Sequence, residues 1–189
     1  EDYTDAQLNN FLTLADVMAT GYHSAVSAEV KKGDTVAVIG DGAVGLCGVI
    51  GARLLGASRI ILLSHHEDRA KLGREFGATD IVSERGDDAV KKIMELTNGV
   101  GVDAVQECVG ATSAIEQAGK IVRPAAVSGR VGVPQTEPSS NTLFWKNIGL
   151  RGGIANVTTY DKNVLLRAVL EAEIDPGKVF TKSFDLDHI

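Results

Sequence analysis

Short apolar runs alternate with longer amphipathic segments along most of the chain. "DTVAVIG" (34–40), "RIILLS" (59–64), "DIVS" (80–83), "VDAVQECVG" (102–110), "AAVSGRVGVP" (125–134) and "NIGLRGGIA" (147–155) are brief runs rich in Val and Ile, flanked by Gly, Asp and Asn. Their length and composition predict strands. Between them lie helical patterns at 13–28, 43–57, 67–78, 87–99, 112–124 and 161–173. The segment "PQTEPSSNTLFWK" (134–146) has two prolines and a lone Trp145, and reads as a loop. Strands separated by helical segments of about 10 to 15 residues predict right-handed βαβ units and a parallel sheet. Six such strands fit a doubly wound α/β architecture of the Rossmann type, in which ligand binds at the carboxyl ends of the strands.

Composition narrows this picture. A length of 189 residues fits one domain, here taken as 1–189. Hydrophobic residues make up 44% and charged residues 23%, as in ordinary soluble domains. The net charge of -6 argues against nucleic acid and against an anionic membrane surface, since both ask for basic patches. Cys47 and Cys108 form no paired motif and read as buried thiols. No apolar run reaches the roughly 18 residues of a membrane span. No signal-like segment opens the sequence, so a cytoplasmic location is the expectation. The first residue is Glu1, not Met, which raises the expectation of a fragment.

The chemistry begins at "VIGDGAVGL" (38–46), where Gly40, Gly42 and Gly45 stand in G-x-G-x-x-G spacing between a strand and a helix. Gly40 permits the tight turn. Gly42 lets the backbone approach a pyrophosphate, and Gly45 lets the helix pack closely on the strand. Ala43 and Val44 then begin a helix whose free N–H groups and positive dipole end favour phosphate. The alternative is a tight α/β turn without a ligand. About 20 residues beyond such a turn an NAD site places a carboxylate. Here the chain has Ser64, His65 and His66, with Arg69 one turn further on. A 2′-phosphate within about 4 Å of a carboxylate would meet repulsion on the order of 4 kcal/mol at an effective dielectric of about 20. Without that acid, Ser64 can donate to the phosphate and the imidazoles and Arg69 can attract it. The expected ligand is therefore NADP(H). Absence of the acid also counts against FAD and against a methyltransferase site. The bland alternative is that Ser64-x-x-Glu67 is a capping box.

Four motifs, "LADVMATGYHSAV" (14–26), "KKGDTVAVIGDGAVGL" (31–46), "EFGATDIV" (75–82) and "GVGVDAVQECVG" (99–110), resemble the medium-chain dehydrogenase/reductase superfamily and, within it, the zinc-dependent alcohol dehydrogenases. The resemblance covers nearly the whole chain but only the cofactor-binding part of that architecture. It implies that residues 1–189 are a fragment of a larger enzyme with an N-terminal catalytic domain. It also implies hydride transfer between a nicotinamide and an alcohol or carbonyl substrate, with zinc in the complete enzyme and none expected in this chain alone. On the same ground Asp16, just before "TGY", is a candidate zinc ligand, although it could simply cap its helix. Thr20 and Val44 are placed beside the nicotinamide ring. Val131, Val133 and Gly153 are placed beside its carboxamide, and Val109 along the cofactor. Arg130 has two readings, as a contact to the phosphates or as a residue facing water. A homodimer through the last strand (147–155) is the implied assembly. Two alternatives stay open: a zinc-free quinone or enoyl reductase, and a non-catalytic NADPH-sensing module.

Overall fold

The computed structural model describes residues 2–188. Six strands among them form one all-parallel sheet: β1 (Thr35–Ile39), β2 (Arg59–Leu63), β3 (Asp80–Val82), β4 (Val102–Glu107), β5 (Val122–Arg130) and β6 (Gly149–Gly152). Their order across the sheet is β3-β2-β1-β4-β5-β6. The chain therefore winds outward from β1 in one direction, then returns and winds outward in the other. The reversal lies between β1 and β4, and the crevice at their carboxyl ends is the ligand position of this topology.

Helices cover both faces: α1 (Asp5–Thr13), α2 (Val17–Ser27), α3 (Ala43–Leu54), α4 (Glu67–Phe76), α5 (Gly86–Leu96), α6 (Thr112–Ile121), α7 (Ser140–Lys146) and α8 (Thr159–Leu170). Because both faces are covered, the central strands are apolar without alternation. Val36, Val38, Ile60 and Leu62 pack under α2 and α3, while Ala37, Ile39, Ile61 and Val105 pack under α5 and α6. The buried thiol of Cys47 sits in the first of these layers and is pushed up to about 12 by burial and by Cys108. Cys108 packs at the edge of the same layer, its Sγ 3.9 Å from Ser24 Oγ.

Three expectations need correction. The helical pattern at 13–28 becomes α2 alone. A separate α1 precedes it, opened by a capping box in which Thr4 and Gln7 satisfy each other's backbone groups. The stretch read as a loop contains α7, a two-turn helix whose N-cap Ser139 accepts from Thr142 N. The helix expected over 112–124 stops at Ile121. Pro124 has no N–H to donate, and β5 passes through it with Ala125 at φ 61° and a shift of register against β4.

The closest helix contact is α2 on α3. A Cβ on Gly21 would lie 2.5 Å from the Cys47 carbonyl carbon, so the two helix backbones almost touch. Helix propensity alone would favour Gly21→Ala by about 1 kcal/mol. Pushing backbone against backbone costs more, roughly 1–3 kcal/mol for a forced insertion in a packed core even when neighbours can shift. The expected outcome for Gly21→Ala is a net loss of stability of about 1 kcal/mol or more, read as a lower urea midpoint at unchanged slope.

Candidate cofactor-binding site

The turn after β1 is built as its glycines require. Gly40 holds φ 108°, and a Cβ there would meet Val109 Cγ2 at 2.7 Å. A Cβ on Gly45 would run into the Gly40 carbonyl oxygen, which is how α3 comes so close to the end of β1. Gly42 is different. It is the N-cap of α3, at φ −73°, and a Cβ on it would meet nothing within 4 Å. The fold does not need glycine at 42. The open space lies where the unpaired N–H groups of Ala43 and Val44 point, and this fits an incoming pyrophosphate. Beside it, a cleft of about 390 Å³ opens between the ends of β1, β2 and β4, with Asp41, His65, Arg85, Val109 and Gln117 among its walls. Its size suits the adenosine end of a dinucleotide.

The residues expected to hold a 2′-phosphate do converge, but on a carboxylate of the protein itself. Asp41 Oδ2 accepts from Ser64 Oγ at 2.8 Å, from His66 Nδ1 at 2.8 Å and from the His65 backbone N–H at 3.3 Å. Asp41 Oδ1 accepts from Arg69 Nη1 at 3.2 Å. The Asp41 side chain is 11% exposed, whereas those of His66 and Arg69 are 53% and 46% exposed. The acid thus lies beneath, and the imidazole and guanidinium face solvent. Burial opposes its ionised form. Hydrogen bonds from His66, Ser64 and Arg69, with the charge of His66, outweigh that and lower Asp41 from 3.8 to about 2. The capping box considered for Ser64 and Glu67 does not form. His66 is the N-cap of α4, without a side-chain cap bond, and the buried Ser64 hydroxyl is committed to Asp41. The His65 ring turns away from this cluster, and its Nδ1–H donates to the Ser83 carbonyl at 2.7 Å.

Beyond β4 and β5 two loops form a common rim. Glu107, 1% exposed, accepts through Oε1 from the N–H groups of Val109 and Gly110 at 2.8 and 2.7 Å. A Cβ on Gly110 would run into the Val133 carbonyl, and one on Gly132 into the Gly110 N–H. Gln135 N donates to Gly110 O at 2.8 Å. The expected carboxamide neighbours all belong to this rim or its margin. Val131 N donates to Glu107 O, Val133 is exposed, and Gly153 N donates to Arg130 O at 2.7 Å. Arg130 pairs with Glu137 at 3.4 Å.

A second cleft, of about 330 Å³, lies past Gly153 and is lined by Asp16, Thr20, Asn156 and Lys162 among others. Thr20 Oγ1 donates to Asp16 Oδ1 at 3.1 Å, so the two candidate residues from α2 form one unit. Asp16 is the N-cap residue but makes no side-chain cap bond, which leaves its second oxygen directed at no backbone amide of the helix. No group of three or more His, Cys, Asp or Glu among the described residues could hold a metal ion. The donors present therefore do not make a zinc site by themselves. His23 bonds Ser27 within α2.

Two cleft residues, Asp41 and Arg85, and the rim residue Glu107 were not among those expected from sequence. For Asp41 a signal existed. β1 and β2 pair in parallel with Ile39 opposite Leu63, which carries residue 41 to the level of residue 65. An acid inside the glycine fingerprint therefore had to meet whatever follows β2.

A parallel doubly wound sheet with this turn and cleft defines a dinucleotide-binding protein. The profile of the family described as zinc-binding dehydrogenase matches residues 43–168, and the chain belongs to that family. It is 38% identical over 190 residues to an alcohol dehydrogenase of Cupriavidus necator, covering 98% of this chain and 51% of that protein. It is 39% identical over 195 residues to the NADP-dependent isopropanol dehydrogenase of Clostridium beijerinckii, covering 98% of this chain and 55% of that protein. Among solved structures, the alcohol dehydrogenase TADH from Thermus sp. ATN1 superposes with a TM-score of 0.79 at 30% identity, over 90% of this chain and 50% of that one. The chain thus spans about half the length of the relatives it matches. No helix among the described residues is long and apolar enough to cross a membrane.

Two outcomes follow from the turn. In Gly42→Val the Cβ meets open space, so the protein should still fold, its melting temperature lowered by only the few degrees that an apolar N-cap costs, yet lose at least about tenfold in dinucleotide affinity through collision with the pyrophosphate; calorimetry alongside thermal melting reads both. Asp41 has a folded value below its unfolded one, so its contribution is present above pH 4 and is lost as pH falls toward 2. A depression of this size corresponds to about 2 kcal/mol. The stability difference between wild type and Asp41→Asn should be largest near pH 6 and shrink steadily below pH 4 in urea titrations.

Proposed function

We propose that this chain is the NADP(H)-binding part of an alcohol or carbonyl oxidoreductase of the zinc-dependent type. The observation that carries the reading is the open space in front of α3. The fold leaves Gly42 bare without needing to, and the N–H groups of Ala43 and Val44 face that space. NADP(H) rather than NAD(H) is supported by the half-exposed His66 imidazole and Arg69 guanidinium at the end of β2, and by the NADP-dependent isopropanol dehydrogenases among the relatives. Arg69 has five N–H donors, and a phosphate arriving from solvent would meet those not given to Asp41.

When bound, the nicotinamide supplies a site that gives or takes a hydride. The chain's own residues bind and orient it. Gly42 and the first turn of α3 hold the pyrophosphate. Val44 backs the ring, and the rim of Val131, Val133 and Gly153 fixes the carboxamide. Thr20, tied to Asp16, limits where the substrate oxygen can sit. In the complete enzyme Asp16 would offer one oxygen to zinc, with further donors from outside the residues described. The exposed Phe144 and Trp145, beside the edge strand β6, form the surface through which two copies would pair.

Calorimetry at pH 7 tests the cofactor assignment. NADP+ should bind more tightly than NAD+, and equal or tighter NAD+ binding overturns it. For assembly, light scattering should report a dimer; a monomer persisting at high concentration refutes the edge pairing.

A further inference from the structure

We propose that Asp41 is a specificity-determining residue that competes with the cofactor's 2′-phosphate for Ser64, His66 and Arg69. The inference rests on the dinucleotide reading above and concerns only how this site tells NADP(H) from NAD(H).

A 2′-phosphate at the end of β2 needs donors. The donors there are Ser64 Oγ, the His65 N–H, His66 Nδ1–H and the Arg69 guanidinium, and each already gives a hydrogen bond to one carboxylate, at 2.8–3.3 Å. Ser64 is 2% exposed and has a single proton to give, so it cannot serve both acceptors. His66 donates through Nδ1 and has one other ring nitrogen. Arg69 has donors to spare, and so does His66 whenever its second ring nitrogen carries a proton, but both already lean on the same carboxylate. A phosphate that takes the Ser64 and His66 protons must displace Asp41. One that settles on the outer donors stands beside an ionised, largely buried carboxylate. Both routes penalise the phosphate, by lost hydrogen bonds in the first case and by like-charge repulsion in the second. A ribose with a free 2′-hydroxyl meets no such penalty, because it can donate to Asp41. The acid that NAD sites place after the second strand is thus present, delivered from inside the glycine turn.

The other charged groups near the cluster do not change the sign. Glu67 and Asp68 open α4 and add negative charge, while Glu84 and Arg85 line the cleft together from its far side.

The test compares wild type with Asp41→Asn, and with Asp41→Ser as a second variant. Each is titrated by calorimetry with NADP+, NAD+, adenosine 2′,5′-bisphosphate and 5′-AMP, after a melting curve shows that it is folded. The amide and the hydroxyl keep polar contact with the cluster but remove its charge. In both variants NADP+ and the bisphosphate should bind at least about tenfold more tightly, while NAD+ and 5′-AMP, which lose a charged acceptor for the 2′-hydroxyl, bind no more tightly than to wild type. If all four ligands bind and the ratio of NADP+ to NAD+ affinity stays unchanged or falls, Asp41 merely positions the cations, and the proposal fails while the dinucleotide reading stands. If none of the four binds either wild type or variants, the dinucleotide reading fails and takes the proposal with it.

Discussion

The carboxyl edge of this sheet is organised by one close approach, that of α3 to the end of β1. Gly45 and Gly40 bring helix and strand backbone together where any side chain would collide. That contact aims the helix N-terminus along the crevice where strand order reverses. The register of β1 against β2 places residue 41 at the level of residue 65, so the turn and the end of β2 become a single site. The α2–α3 packing through Gly21 then holds α3 from its other side. An open helix end, the cleft beside it and the Asp41 cluster all follow from how closely these backbones can lie.

The frame of the fold was legible because it rests on patterns longer than any local exception. Six apolar runs and the helices between them specify a parallel doubly wound sheet. What escaped was short or depended on contacts distant in sequence. α7 covers only Ser140–Lys146 and follows two prolines, so no helical period could develop. β5 runs through Pro124 and Ala125, which local rules would exclude, because a bulge against β4 absorbs them. In the site, the three glycines and the cluster of Ser64, His66 and Arg69 could be read from spacing alone. Asp41 could not be read that way, since it occupies a position where the fingerprint accepts any residue.

Asp41 changes the meaning of its neighbours without changing their identity. A hydroxyl, an imidazole and a guanidinium beside a ribose site are phosphate ligands when they have no other acceptor. With a carboxylate in their midst they form a charge-assisted network that holds the turn to α4. These donors already serve the stability of the turn, and any ligand that called on them would draw on the same protons. Kinship with NADP-dependent enzymes and the local arrangement thus pull in different directions at this position.

The interlocked loops after β4 and β5 carry a thermodynamic consequence. Glu107 clamps two successive amides, and the backbones at Gly110, Gly132 and Val133 lie too close for side chains. Segments held this way have given up their conformational entropy during folding, before any ligand arrives. Any ligand docking on them would have little backbone left to order, so more of its contact energy would survive as affinity than on mobile loops. The rim is a preorganised surface, and its rigidity comes from a buried carboxylate and missing side chains.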